Sequence, residues 1–267
     1  EDSGGDLSDC STETDFYTVE DPIKVFAGFY NTCVINSGAD AVCWGDNSEG
    51  QLGQEGQDGQ DPATALLLAD DFGDGAGETP DSTDILPGID LNGAPQDIAM
   101  GKHHICALLN TNKVKCWGRH NVHNILGTGN PTGGNNVTSS KIGDEIGEMS
   151  GDGTVTHYVE EIDFGGTLVP EQITAGEDFS CARFTDDSVK CWGWNAYGQL
   201  GLDSNTVQGN SFHPISSESI IDFDDVDVLD ISSNKLHSCA VLEGGNVKCW
   251  GFGMNGRLGQ DDLNVDY

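Results

Sequence analysis

The feature that most constrains this chain is a short block with two cysteines that occurs four times. In one copy the block runs from Phe179 to Gly193, with Cys181 and Cys191 near its ends. Every pair is ten residues apart, and Trp-Gly follows each second cysteine: Cys33/Cys43-Trp44, Cys106/Cys116-Trp117, Cys181/Cys191-Trp192 and Cys239/Cys249-Trp250. Recurrence at one internal spacing predicts a repeat protein.

Each block predicts a β-hairpin whose ends are joined by a disulfide. Residues with intermediate or high β-propensity flank a polar turn centred on Asp186 in the copy above. A separation of ten residues then places Cys181 opposite Cys191. Opposed Cα atoms in an antiparallel pair lie about 4.5–5.5 Å apart, within reach of a disulfide. Each bridge is expected to contribute about 2.7 kcal/mol of stability.

The cysteines also indicate the redox state of the compartment in which the chain folds. Disulfides persist in oxidising surroundings, so the paired spacing predicts a secreted or extracellular chain. A zinc site would need Cys-x-x-Cys pairs, which this sequence lacks. Cys10 is left over, and it either pairs outside this chain, pairs with another chain, or stays free.

The charge of the chain narrows the possible partners. Its 267 residues include 11 Lys and Arg against 45 Asp and Glu, a formal net charge of −34. Such a field repels phosphate backbones and anionic membrane surfaces, which argues against nucleic acid and membranes as partners. No apolar run approaches the roughly 20 residues that cross a bilayer. The start, Glu1-Asp2-Ser3, predicts a mature product or a part of a longer chain.

Fixed positions around each hairpin predict its local geometry. Five residues before each first cysteine stand residues that tolerate positive φ, which predicts a left-handed position: Gly28, Gly101, Gly176 and Asn234. A second permissive position precedes a Leu-Gly pair after each hairpin: Gly50, Asn124, Gly198 and Gly256. The four tryptophans are expected to pack between blades, with a ligand-stacking platform as the alternative.

The block from Ile173 through Cys181 and Trp192 to Gly201 resembles the repeat of the regulator of chromosome condensation family. The resemblance implies an all-β, propeller-like array with blades at about 22–53, 97–127, 172–201 and 230–259. The paired cysteines look like those of secreted family members. Family propellers commonly close with seven blades, whereas four repeats are visible here. The founder's nucleotide-exchange and nucleosome-binding roles have no matching loops here and are not carried over.

Acidic segments separate and precede the blades. An acidic N-terminal segment, 1–21, precedes the domain at 22–267, which contains long connections at 54–96 and 128–171. The two connections resemble each other, and we expect them to carry strands that complete their blades, since long structureless loops are rare.

The connections also contain candidate ligand and modification sites. Three carboxylates and their counterparts offer oxygen ligands for Ca²⁺: Asp74, Glu78 and Asp90 with Asp144, Glu148 and Asp163. A solvated acidic loop explains the same residues without a metal. Asn136 begins an Asn-Val-Thr sequon, which predicts glycosylation in a secreted chain.

No recognised catalytic motif is present. His103 and His104 could bind a metal, but a surface or satisfied core role fits them better. The sequence therefore predicts a non-enzymatic extracellular protein with a structural or adhesive role, assembling with itself as a surface fibril or appendage. The alternatives are a secreted module that binds a protein or glycan, and an enzyme with a cleft built from the long connections.

Overall fold

The structure, a computed structural model, describes residues 21–53, 71–72, 88–119, 124–128, 141–142, 149, 159–202, 215 and 220–259. These residues form four antiparallel sheets in chain order, here called blades 1 to 4. Blade 1 contains β1 (Pro22–Ala27), β2 (Asn31–Asn36), β3 (Ala41–Asp46) and β4 (Asp71–Phe72), and blade 2 contains β5 (Pro95–Met100), β6 (His104–Leu109), β7 (Val114–Arg119) and β8 (Lys141–Ile142). Blade 3 contains β9 (Pro170–Ala175), β10 (Phe179–Phe184) and β11 (Val189–Gly193), and blade 4 contains β12 (Val228–Asn234), β13 (His237–Leu242) and β14 (Asn246–Gly251). The predicted all-β, propeller-like array is confirmed.

Each blade carries a disulfide between its second and third strands. The bridges join Cys33–Cys43, Cys106–Cys116, Cys181–Cys191 and Cys239–Cys249, with Cα atoms 4.0–4.1 Å apart. Cys181 lies directly opposite Cys191 in the β10–β11 register, as the spacing predicts. The four predicted hairpin disulfides are therefore present.

Side chains alternate between two faces of each blade, because successive residues of a strand point to opposite sides. In blade 3, the Ser180 Oγ atom lies 2.7 Å from the Nε2 atom of His104 in blade 2. The next residue, Cys181, points the other way, with its Sγ atom 3.9 Å from the Oγ atom of Ser238 in blade 4. We call the side toward the preceding blade the leading face and the side toward the following blade the trailing face.

Three tryptophans lie between blades, on leading faces. The Nε1 atom of Trp117 donates to the carbonyl oxygen of Gln51 at 2.9 Å, and Trp250 repeats this bond with Gln199. A Cβ atom added to the Leu-Gly glycine of the preceding blade would meet the tryptophan Nε1 atom at 2.9–3.1 Å: Gly53 with Trp117, Gly127 with Trp192, and Gly201 with Trp250. These buried rings offer no platform to a ligand, while Trp44 of blade 1 is half-buried.

The connections extend three of the blades. The amide of Ile89 donates to the carbonyl of Ala41, and Ile162 does the same to Val114, both at 2.8 Å. Together with β4 and β8, these contacts confirm that the long connections add to their blades. A third copy was not predicted: Ile221 donates to Val189 at 2.9 Å from within the shorter connection.

One prediction about glycine was wrong. Gly28, Gly101, Gly176 and Asn234 do not have positive φ. Glycine is needed in blades 2 and 3 because a Cβ atom at Gly101 or Gly176 would lie 2.1 or 2.0 Å from the ring of His104 or Phe179. The second permissive position is confirmed, since its residues all have positive φ: Gly50, Asn124, Gly198 and Gly256.

Several predicted features lie outside the described residues. They include Cys10, the sequon at Asn136, and most of the acidic segment 1–21. Within the part of the chain that the structure describes, no helix is long and apolar enough to cross a membrane.

Candidate binding surface on the loop face

Two sets of loops meet at one end of the blades. The first set joins the first and second strands of each blade, and the second set begins after each Trp-Gly. Backbone amides of the second set donate to carbonyls of the first at 2.8–3.0 Å: Asp46 to Tyr30, Arg119 to His103, Trp194 to Asp178, and Phe252 to Leu236. We call this end the loop face, and the opposite end, with the turns between the second and third strands, the turn face.

The glycine of each Trp-Gly makes this arrangement possible. Gly193 has a φ of 107°, and an added Cβ atom would lie 2.6 Å from the carbonyl oxygen of Asp178. Gly45, Gly118 and Gly251 show the same positive φ and the same close approach. Since only glycine combines that φ with no side chain, the repeat fixes where the residue after it emerges on the loop face.

Neighbouring blades are joined across the loop face. The amide of Lys102 donates to the carbonyl of Glu177 at 3.0 Å, and the amide of Glu177 donates to the carbonyl of Lys235 at 2.7 Å. The side chains of Lys102 and Glu177 also form a 2.7 Å ion pair, which raises the pKa of Lys102 through its hydrogen bond to Glu177. Blades 2, 3 and 4 thus present one continuous surface here.

A patch of aromatic side chains crosses from blade 3 to blade 4 on this surface. The Tyr197 ring lies 5.4 Å from Trp194 and 4.6 Å from Phe252, measured between centroids. The guanidinium of Arg257 stands 4.9 Å over the Phe252 ring. All four side chains are half-buried, and Met254 beside them is exposed. We call Trp194, Tyr197, Phe252, Met254 and Arg257 the aromatic patch.

Unsatisfied polar atoms lie next to this patch. Among the described residues, neither the Nδ1 atom of His103 nor the Oδ1 atom of Asp178 has a hydrogen-bond partner, although both atoms are buried. Burial lowers the pKa of His103, and the nearby Asp178 carboxylate opposes this only in part. Burial thus favours the neutral form of His103, and its Nδ1 atom, like the Oδ1 atom of Asp178, is enclosed by the loops.

The turn face differs in charge. Carboxylates of the turns and of the Ile-Asp segments gather there: Asp40, Asp90, Asp163, Asp186, Asp187, Asp222, Asp225 and Asp227. Basic side chains are fewer than carboxylates there, although Arg183 pairs with Asp187 and Lys248 pairs with Asp224. On the loop face, the two signs occur in equal number among the described side chains near the blade ends: Lys102, Arg119, Lys235 and Arg257 with Asp46, Glu49, Glu177 and Asp178. In a chain with a formal charge of −34, the loop face is the less repulsive surface for a protein partner.

The structure accounts for two of the proposed calcium ligands in another way. The Oδ1 atom of Asp90 accepts from the amide of Asn92 at 3.0 Å, and Asp163 accepts from Gly165 at 2.9 Å. Asp222 repeats this turn in the copy that was not predicted. No group of three metal-ligating side chains occurs among the described residues, and the other predicted ligands, Asp74, Glu78, Asp144 and Glu148, lie outside them.

One serine–histidine contact has the atoms of a catalytic pair but not their setting. His104 Nε2 lies 2.7 Å from Ser180 Oγ, and both residues are fully buried between blades 2 and 3. Burial, with a smaller contribution from the nearby His103, lowers the pKa of His104 to about 3. With no access for a substrate, the pair is a packing contact rather than a reaction centre.

Antiparallel blades in chain order, joined through buried tryptophans, define a repeat protein of the β-propeller class. Family models support this assignment. The model described as "Regulator of chromosome condensation (RCC1) repeat" matches residues 23–51, 96–124, 171–199 and 228–260, and a second model of that description matches residues 186–241. The chain belongs to the family built from these repeats.

Solved structures show the same fold. Yeast RCC1 (Prp20) bound to Kap60 has a TM-score of 0.60 at 17% identity, and the match covers 92% of this chain and 47% of that one. Human WBSCR16 has a TM-score of 0.62 at 16% identity, covering 92% and 51%.

Curated relatives are matched over only part of their length. The ultraviolet-B receptor UVR8 of Arabidopsis thaliana is 36% identical over 33% of this chain and 19% of its own length. The probable E3 ubiquitin-protein ligase HERC4 of Homo sapiens is 23% identical over 89% of this chain and 18% of its own length. This chain therefore spans about a fifth of these relatives.

Proposed function

We propose that this chain is a non-enzymatic module that binds another protein through its loop face. The observation that carries the proposal is the aromatic patch, in which Trp194, Tyr197 and Phe252 are only half-buried although their rings lie in contact distance of one another. Aromatic residues and arginine are the types that dominate binding energy at protein interfaces.

The relatives support a binding role. One solved structure concerns Prp20p of Saccharomyces cerevisiae and its binding properties to Gsp1p and histones, and another shows Prp20 bound to Kap60. Those partners are properties of Prp20. What extends to this chain as a proposal is the use of a propeller surface for protein recognition.

We place this activity outside the cell or in another oxidising compartment. Four disulfides favour such surroundings, since reducing compartments keep thiols reduced. Use of the Asn136 sequon belongs to the same proposal and is checked by the mass lost from the secreted protein on treatment with a glycosidase.

The loop face can be tested by placing photo-crosslinkers on both ends of the blades. A photoreactive residue at Met254 samples the loop face, and one at Ile220 samples the opposite end; both positions are exposed. In the native extracellular material, we expect a protein to cross-link from position 254 and not from position 220. A glycan caught instead, or equal capture from both positions, would contradict the proposal.

The captured protein then gives a quantitative test. Trp194→Ala is expected to weaken its binding by at least about tenfold, because central aromatic residues at interfaces contribute more than about 1 kcal/mol. Ile220→Ala, on the turn face, is the matched control and should leave the affinity unchanged. Unaltered binding by Trp194→Ala would exclude the aromatic patch as the contact.

A structural or adhesive role, with copies joined in a surface fibril, is a second candidate. The observation that favours it is the exposure of apolar side chains on the outer faces of the first and last blades, among them Val25 and Val247. Electron microscopy of the native material tests this role: continuous filaments are expected, and discrete particles would contradict it.

A further inference from the structure

The two end blades present faces that the interior of the array buries. Val25 of blade 1 is 71% exposed on a leading face, while the residues at the same repeat position are 4–5% exposed: Ile98, Ile173 and Ile231. Val247 of blade 4 is 63% exposed on a trailing face, while Ala41, Val114 and Val189 are completely buried. Each end therefore lacks, among the described residues, the contact that its counterparts make.

The two exposed faces match one another. Blades 1–2, 2–3 and 3–4 are joined by one design, in which the trailing face of a blade packs against the leading face of the next. The trailing face of blade 4 is built from the same positions as the three trailing faces already in use. The trailing face of blade 4 should therefore fit the leading face of blade 1, as the interior faces fit one another.

The receiving groove for a tryptophan is also open at the end of blade 4. In the interior, Trp117, Trp192 and Trp250 lie against Gly53, Gly127 and Gly201, respectively. Gly259 is the counterpart in blade 4, and no described atom lies within 4 Å of a Cβ built on it. On the model of the interior junctions, Trp44 of another copy would lie over Gly259.

Polar side chains of the inner strands are already used within the chain. Lys24 Nζ on the trailing face of blade 1 donates to the carbonyl of Gln96 at 2.6 Å, and Gln172 Nε2 donates to the carbonyl of Ile231 at 3.1 Å. The carboxylate of Asp230 in blade 4 accepts from the same Gln172 side chain. The junction between copies therefore rests on the apolar faces and the open tryptophan groove.

We propose that the trailing face of blade 4 binds the leading face of blade 1 in a second copy of this chain. The contact is heterologous, so it propagates from copy to copy unless the geometry closes it into a ring. This inference rests on the second candidate function and is independent of partner binding at the loop face. Because every copy carries the −34 charge, association should strengthen as salt screens the repulsion between copies.

Two single variants and their mixture test the junction. Val25→Asp disables only the leading face, and Val247→Asp disables only the trailing face. We expect sedimentation velocity in 0.5 M NaCl to show concentration-dependent association of the unmodified chain. The association of either single variant should be at least tenfold weaker. A 1:1 mixture of the two should form a dimer, because one intact face of each kind remains.

The control is Ile220→Asp, which adds the same charge at an exposed site away from both end faces and should associate like the unmodified chain. Circular dichroism checks that each variant is folded. An unmodified chain that stays monomeric at every concentration and salt would overturn the proposal and show that the chain itself covers its end faces. Undiminished association of the single variants would overturn it as well. Neither result bears on cross-linking from Met254, so failure here and failure of the loop-face proposal are distinguishable.

Discussion

Blades 3 and 4 share a sequence pattern but not an environment. The disulfide Cys181–Cys191 is fully enclosed, whereas Cys239–Cys249 is half-buried. Lys190 is buried and donates to the carbonyls of Phe164 and Ile215, whereas Lys248 is largely exposed and pairs with Asp224 at 2.6 Å. The difference shows that burial in this fold is set by the neighbouring blade rather than by the repeat, as in other arrays with nearest-neighbour contacts.

The largest expected difference between the two blades concerns their disulfides. Under limiting reductant in native buffer, Cys239–Cys249 should open at least about tenfold faster than Cys181–Cys191, because thiol exchange needs access to a sulfur atom. Loss of a bridge closing so short a loop costs about 2.7 kcal/mol. Alkylation followed by mass spectrometry gives the order of opening. Simultaneous opening of all bridges would mean that the blades unfold as one unit.

Trimming a side chain at one shared position isolates the effect of the neighbour. Val189→Ala removes buried methyl groups and should lower the free energy of unfolding by about 2 kcal/mol, since each buried methylene is worth about 0.8 kcal/mol and a cavity remains. Val247→Ala, at the same repeat position, should cost less than about 0.5 kcal/mol. Urea denaturation of dilute protein measures both values. Equal losses would show that Val247 is covered in solution.

A histidine pair sharpens the comparison between an interior blade and the last blade. His104 and His237 occupy the same repeat position, and burial lowers the pKa of both, that of His104 to about 3. As pH falls below the unfolded value of about 6.5, the unfolded chain takes up a proton that folded His104 refuses, and stability is lost by up to about 1.4 kcal/mol per pH unit.

The matched variants are His104→Asn and His237→Asn, since asparagine stands at this position in blade 1. His104→Asn should flatten the pH dependence of stability between pH 4 and pH 6.5 more than His237→Asn does. Thermal unfolding across this range provides the comparison. A larger effect at His237 would contradict the ordering of burial.

The smallest expected effect is that of divalent cations. The predicted calcium ligands remain untested as a set, because only Asp90 and Asp163 lie among the described residues. If the carboxylates of the connections share an ion, millimolar Ca²⁺ should raise the melting temperature by several degrees more than Mg²⁺ at equal ionic strength. An equal rise in melting temperature with both ions would show that the ions only screen the negative charge and do not bind at a specific site.

The sequence predicted the parts of the fold that recur at a fixed spacing. The disulfides, the inter-blade tryptophans and the Leu-Gly loops all follow from positions shared by the copies. The roles of Gly101 and Gly176 were predicted wrongly, because glycine is required both where a ring packs closely against the backbone and where φ is positive. The sequence alone does not distinguish these two reasons. Ile221 was missed because its connection is shorter than the other two.

The candidate site was less predictable because its residues do not recur from repeat to repeat. The loop-face position after each Trp-Gly holds a different residue in every blade: Asp46, Arg119, Trp194 and Phe252. The aromatic patch combines blade 3 with blade 4, so no single repeat contains it. Its members come together only through the fold, and a fixed backbone with variable exposed side chains is the usual arrangement for binding loops.

Hydrogen exchange tests most directly whether the neighbouring blade decides burial and stability. In dilute protein, amides of β14 (Asn246–Gly251) should exchange at least about tenfold faster than those of β11 (Val189–Gly193), because a blade packed on one face opens more readily. Raising the protein concentration should slow exchange in β14 while leaving β11 unchanged. Equal protection of the two strands at the lowest concentration would contradict the account.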